Sequence, residues 1–211
     1  MTPPDCTGAI LAGGRATRYG GAPKGLELVG GRRIIDRVAS GLRSCTSDLL
    51  LVANDPASDS WMPGVRVVAD IIPDAGSLGG IHAALTHAGR AVLAVAWDMP
   101  FVPETLLRAL IVAGADADVV VPESGSKRGV EPLCAYYGPA CIAAIERRLA
   151  AGDHRVIGFY DDVRAVHLPA SEVARFGDPG VMFMNINSPD ELGQAELHVA
   201  TPDAGGRRAQ A

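Results

Sequence analysis

The chain has few cysteines, and none of them is paired in metal-binding or redox spacing. Cys6, Cys45, Cys134 and Cys141 include no C-x-x-C, and their density is far below that of a secreted disulfide scaffold, which points to a reducing compartment and away from zinc. Positive charge is also scarce: 19 Lys and Arg stand against 24 Asp and Glu, a formal net charge of −5. A protein built to coat nucleic acid or an anionic membrane is thereby excluded, and any anion site must be a small, focused pocket. No apolar run approaches the roughly 20 residues needed to cross a bilayer. The N-terminus lacks a charged segment followed by a long apolar one, so a soluble cytoplasmic protein without membrane or nucleic-acid partners is expected. The five histidines form no H-E-x-x-H and no tight cluster, and are not expected to bind metal. No internal repeat is evident.

What is present is a core. The 211 residues are 48% hydrophobic and 20% charged, enough to bury the interior of one domain. Short aliphatic runs at Gly8–Ala12, Leu49–Ala53, Val65–Ala69, Ala91–Ala96, Val119–Val121, Leu133–Tyr137, Val163–Leu168 and Val181–Ile186 read as strands. Between them, apolar residues recur at helical spacing: Ile34, Ile35, Val38 and Leu42; Ile81, Ala84 and Leu85; Leu106, Leu107 and Leu110; Ile142, Ile145 and Leu149. Strands alternating with helices imply βαβ units. The fold class expected is α/β: a single-domain, Rossmann-like, three-layer α/β/α sandwich with a mainly parallel, mixed sheet. Residues 7–197 would form the domain, after an extension over residues 1–6 and before a disordered tail over residues 198–211.

Open parallel sheets bind ligands beyond the carboxyl ends of their strands. The polar and small residues expected there are Gly13 and Gly14 after the first strand, Asn54 and Asp55 after the second, Asp70 after the third, Asp98 after the fourth, and Asn185 and Asn187 after the last. Adjacent glycines let backbone N–H groups approach a phosphate, and Arg18 and Lys24 add positive charge from the following loop. Asp98, ahead of Met99-Pro100, offers a hard oxygen suited to Mg²⁺, which commonly takes one or two carboxylates together with substrate phosphates. A nucleoside triphosphate fits this set. The loop is not a Walker A motif, because Lys24 is followed by Gly25 rather than Ser or Thr. Nor does "GGRATRYGG" keep the G-x-G-x-x-G spacing of a dinucleotide fingerprint. Trp97 reads as core rather than as a base-stacking platform. Ser188 and Glu191 read as a helix N-cap and its partner three residues on, which leaves Asn187 either structural or at the site.

"LAGGRATRYGGAPKG" resembles the L-A-G-G-x3-R-x-G-x3-K signature of nucleotidyltransferases, and specifically of the MobA-like molybdenum cofactor guanylyltransferases. "GSLGGI" (Gly76–Ile81), "WDMPF" (Trp97–Phe101), "AGDHRVIGF" (Ala151–Phe159) and "NINSPDEL" (Asn185–Leu192) resemble further segments of that family, in the same order along the chain. Tyr19, Pro23 and "EPLCAYY" depart from its usual residues. The resemblance implies transfer of GMP from GTP to molybdopterin carrying molybdenum, with release of pyrophosphate. It implies that Leu11, Ala12, Gly13 and Gly14 contact the nucleotide, that Lys24 meets its phosphates, that Asn54 and Asp70 help to bind it, and that Asp98 holds both Mg²⁺ and nucleotide. Lys24, Arg18 and Asp98 would carry catalysis, and Asn185 and Asn187 would face the second substrate or support the site. Transient contact with other cofactor-biosynthesis proteins or with recipient molybdoenzymes is implied as well. A cytidylyltransferase or a sugar-1-phosphate nucleotidyltransferase of the same fold, and a non-catalytic nucleotide-binding module, stay open as alternatives.

Overall fold

The computed structural model describes residues 5–13 and 23–200. Its first strand, β1 (Cys6–Leu11), is buried along its whole length, as a strand covered on both faces must be. A small hairpin, β2 (Leu28–Val29) and β3 (Arg32–Arg33), follows. Its turn is Gly30-Gly31, with φ of 57° and 71°, the left-handed pair that a two-residue hairpin favours. Helix α1 (Ile34–Arg43) leads to β4 (Asp48–Val52) and, through an irregular connector, to β5 (Arg66–Val68). Helix α2 (Gly76–Ala88) returns the chain to β6 (Ala91–Ala96). Then come α3 (Glu104–Ala113), β7 (Val119–Pro122), β8 (Cys134–Tyr137), α4 (Cys141–Ala150) and β9 (Ala165–Leu168). Two one-turn helices, α5 (Ala170–Val173) and α6 (Pro179–Met182), precede α7 (Pro189–Ala200).

The main sheet has seven strands in the order β5-β4-β1-β6-β8-β7-β9. Only β8 is antiparallel to its neighbours, β6 and β7; the other pairings are parallel. The mixed α/β sandwich is therefore the observed architecture. Side chains alternate across the sheet: Ile10, Leu51 and Leu93 face α1 and α3, while Ala9, Leu50 and Val92 face α2 and α4. A third, smaller cluster joins Val29 and Ile34 to Ile186 and Ala195, with α7 covering the hairpin.

The chain leaves β1 toward β4 and β5, then returns across the sheet to β6 on the other side of β1. The crossovers diverge between β1 and β6, which opens the crevice where doubly wound folds bind ligands.

One expected strand is absent. Val181–Ile186 is not in the sheet: Asp178 caps α6 by accepting a hydrogen bond from the Gly180 amide at 2.8 Å, with Pro179 at the first helical position. The segment then runs on irregularly, and the Ile186 amide donates to the Asp98 carbonyl at 3.0 Å. Met182, Phe183 and Ile186 are buried, at 3%, 7% and 0% exposure, but as packing over the sheet's end. Residues 198–200 of the expected tail are helical, within α7; residues 201–211, and residues 1–4 of the expected extension, lie outside the described residues.

All four thiols are free; Cys6, Cys134 and Cys141 are buried and Cys45 only partly so. Burial pushes the Cys6 and Cys141 thiols up to about 12 and Cys134 higher still, while Cys45 is raised, mainly by desolvation. Thiolate is the reactive form, so an aromatic disulfide reagent at pH 8 should modify Cys45 well ahead of the others in the native protein and all four in denaturant. Prompt modification of all four without denaturant would contradict this packing.

Candidate active site

Three strand ends are held level by backbone bonds that continue one residue past the sheet. The Ala12 amide donates to Val52 O at 2.9 Å, Ala53 N to Val68 O at 2.9 Å, and Trp97 N to Leu11 O at 3.2 Å. Beyond them lies a cleft of about 560 Å³. Leu11, Ala12 and Gly13 form its floor, Asn54 and Asp55 follow β4, Asp70 follows β5, and Asp98 follows β6. Lys24 enters from the start of a single turn, Lys24–Leu26, and Asn185 from the segment before α7. A Cβ built at Gly13 would meet nothing within 4 Å among the described residues.

Lys24 and Asp98 are 74 residues apart and form an ion pair, Nζ donating to Oδ2. The lysine Nζ also donates to Asn187 Oδ1 at 2.6 Å. Their side chains are 21% and 10% exposed, enough shielding for the pair to matter more than a solvated surface pair. Asn187 is fixed in turn by the start of α7: Glu191 Oε2 accepts from the Asn187 amide at 2.7 Å and from the Ser188 hydroxyl at 3.0 Å, and the Glu191 amide donates to Ser188 Oγ at 3.3 Å. This is a capping box. It carries a polar side chain to Lys24 without any strand. Asn185 instead donates to the Phe183 carbonyl at 3.1 Å.

Asn54 and Asp70 lock the ends of β4 and β5 together. Asn54 Nδ2 donates to Asp70 Oδ2 and the Asp70 amide donates to Asn54 Oδ1, both at 2.8 Å. The expected residues Leu11, Ala12, Gly13, Lys24, Asn54, Asp70, Asp98 and Asn185 thus line one cleft, and Asn187 reaches it through Lys24. Gly14 and Arg18 lie outside the described residues.

Other residues contribute that strand-end reasoning did not single out. Gly76, Ser77 and Gly80, in the first turns of α2, line the cleft, where unpaired helix N–H groups suit an anion. Asp74, in the loop before α2, adopts a φ of 57° and adds another carboxylate to the wall. Trp61 stacks on Trp97, ring centroids 5.1 Å apart and planes 21° apart. The connector that carries Trp61 is rich in Pro, Ser, Asp and Gly, so its only signal was a lone tryptophan in a polar stretch. Trp97 itself is 2% exposed, as a core side chain would be.

Among the described lining residues, Asp55, Asp70, Asp74 and Asp98 face a single ammonium, that of Lys24. A polyphosphate entering this wall needs a divalent cation to screen it. Among the described residues no group of three or more His, Cys, Asp or Glu is arranged to hold a metal by itself. The carboxylates present would suit a hard divalent cation that takes one or two of them together with oxygens of a bound anion.

Residues 8–165 match the family described as the MobA-like NTP transferase domain. The chain is 39% identical to a protein named molybdenum cofactor guanylyltransferase from Desulfosudis oleivorans, over 92% of this chain and 95% of that relative. It is 38% identical to a probable molybdenum cofactor guanylyltransferase from Pelotomaculum thermopropionicum, over 90% and 92% of the two chains. Among solved structures, molybdopterin-guanine dinucleotide biosynthesis protein A from Archaeoglobus fulgidus is similar at a TM-score of 0.78 and 28% identity, covering 92% of this chain and 98% of that one. The 4-diphosphocytidyl-2C-methyl-D-erythritol synthase of Anaerococcus prevotii is similar in fold alone, with a TM-score of 0.69 and 15% identity.

Two expectations follow from this geometry. Ser188→Ala removes an N-cap and should destabilise the protein by about 1 kcal/mol, read from the urea midpoint. Asn54→Asp sets two carboxylates against each other at the 2.8 Å contact with Asp70, which raises the folded-state pKa of one of them. A carboxyl whose pKa is raised on folding loses stability as pH rises from its unfolded to its folded value; the loss is complete above the folded value and absent below the unfolded one. The variant's deficit relative to wild type should therefore be larger at pH 8 than at pH 5. An equal deficit at both would mean that the two side chains do not meet.

Proposed function

Because the chain belongs to the MobA-like NTP transferase family and is a nucleotidyltransferase, we propose that it transfers GMP from GTP to molybdopterin carrying molybdenum, releasing pyrophosphate. The observation that carries this reading is the convergence of the glycine-ended β1, Lys24 and Asp98 on one cleft, in a chain of the family that contains the molybdenum cofactor guanylyltransferases. The acceptor is a phosphate monoester, already ionised at neutral pH, so its attack on the α-phosphorus of GTP calls for neither a protein nucleophile nor a general base. Catalysis then reduces to positioning and charge stabilisation.

Lys24 serves as the counter-charge for the phosphates. On nucleotide binding its ammonium exchanges the Asp98 carboxylate for phosphate oxygens, while Asn187 keeps hold of one of its protons. Asp98, released from the ion pair, is the carboxylate that would hold Mg²⁺, and Asn54 and Asp70 shape the nucleotide end of the cleft. Mg²⁺, when bound, supplies Lewis-acid charge neutralisation on the phosphate oxygens. Gly13 would offer its backbone amide to a phosphate, and the family motif assigns Gly14 and Arg18 to the same task. Four free thiols suit a reducing cytoplasm, where the product would pass to recipient molybdoenzymes or to other proteins of cofactor assembly.

Calorimetry with GTP, CTP, UTP and ATP, with and without Mg²⁺, tests the substrate assignment. The expected result is preference for GTP, strengthened by Mg²⁺ and lost in Asp98→Ala. Preference for CTP or UTP would replace the guanylyl assignment with another nucleotidyl transfer. In turnover, Lys24→Ala and Asp98→Ala should each lose about 100-fold or more in kcat while retaining wild-type circular dichroism. Full activity in both would remove these residues from the site.

A further inference from the structure

We infer that the Trp97 indole, braced by Trp61, is a positioning element that sets the separation of Lys24 from Asp98. The inference deepens the proposed reaction and rests on it for the step that is measured.

Each member of the ion pair is one residue from the contact. Lys24 precedes Gly25, and Trp97 precedes Asp98. Gly25 is buried, and a Cβ there would lie 2.4 Å from Trp97 Cε3, 2.8 Å from Cδ2 and 3.1 Å from Cζ3. All three atoms belong to the six-membered ring of the indole, so the Gly25 backbone lies directly against that ring. No other residue type fits without moving one of the two.

The two sides of this contact are anchored differently. Asp98 is fixed from the sheet: the Trp97 amide bonds to Leu11 O, and the Asp98 carbonyl accepts from the Ile186 amide at 3.0 Å. Lys24 starts a single turn of 3-10 helix, Lys24–Leu26, that belongs to neither sheet and packs on the α1 side of the core through Leu26. On the β6 side, what the turn meets is the ring. The ring in turn stacks on Trp61, whose carbonyl accepts from Arg33 Nη1 at 3.0 Å. Arg33 is itself held by both carboxylate oxygens of Asp36, at 2.7 and 2.9 Å. The stack thereby links the start of α1, the β4–β5 connector and the end of β6.

Trp97 Nε1 is buried and has no hydrogen-bond partner among the described residues. An unused buried donor is unfavourable, and a phenyl ring would avoid it. The width of the indole is the property this position exploits.

The test compares wild type, Gly25→Ala and Trp97→Phe. Three quantities are read: kcat for pyrophosphate release, the Mg²⁺ concentration giving half-maximal rate, and KM for the molybdopterin acceptor, with thermal melting alongside. Displacement of a catalytic group by about 1 Å costs roughly a hundredfold in rate. Gly25→Ala should therefore lower kcat about 100-fold and raise the Mg²⁺ requirement several-fold, with acceptor KM within about twofold of wild type. Trp97→Phe, which narrows the spacer and leaves Gly25 intact, should shift kcat and Mg²⁺ requirement in the same direction by about tenfold and still melt cooperatively. A folded Trp97→Phe with wild-type kcat and Mg²⁺ requirement would overturn the inference even if Gly25→Ala failed to fold. If the wild type prefers another nucleotide, the guanylyl assignment fails and the same comparison is made with that nucleotide. If wild type releases no pyrophosphate, the transfer reading fails and calorimetric affinity for Mg²⁺-nucleotide replaces kcat. Unchanged affinity in both variants would then overturn the positioning role.

Discussion

Strand β1 is hydrogen-bonded in parallel on both of its edges, and the remainder of the site depends on that pairing. Leu11 is in register with Val52 on one side and Ala96 on the other; Val52 is in turn in register with Val68. Because all four strands point the same way, the residue following each emerges at one height. A slip of one residue would turn the side chains of a strand to the opposite face of the sheet and carry Asp98 away from Lys24. The cleft is thus a by-product of register, which is enforced by two apolar layers far larger than the cleft itself.

On that platform the chain assembles an acidic pocket whose cation arrives from outside the sheet. Lys24 approaches through a single turn, meets Asp98 from β6, and meets Asn187 from the start of α7. The three come from distant parts of the sequence and from elements with separate reasons to be where they are. The ion pair satisfies two charges that would otherwise be poorly solvated. Under the proposed transfer, nucleotide and metal would replace those partners without leaving either charge bare.

How much of this could be read from the sequence varies with the kind of signal. Strands such as β1 and β6 were legible because burial on both faces writes a continuous aliphatic run, and Asp98 was legible because it ends one. The helix beginning at Pro189 was legible through Ser188 and Glu191. The same aliphatic signal misled at Val181–Ile186, where Asp178-Pro179-Gly180 imposes a capped turn and burial comes from packing rather than pairing. The hairpin around Gly30-Gly31 was too short for periodicity to register. The Trp61–Trp97 stack and the contact of Gly25 with the indole were not legible, because each joins residues distant in sequence through shape alone. Pairing of Lys24 with Asp98 belongs to the same class: both residues were marked as important, but nothing in their spacing said that they touch.

Helix α7 rests on the smallest of the three apolar clusters, chiefly Val29, Ile34, Ile186 and Ala195. Partial opening of a native protein starts where the fewest apolar contacts must be surrendered, and here that place is the C-terminal helix and its hairpin. Detachment of α7 would take with it the capping box and the oxygen that Asn187 offers to Lys24, while the seven-stranded sheet stayed closed. The completeness of the cleft is therefore tied to the smallest body of apolar packing among the described residues, rather than to the large layers that hold the sheet.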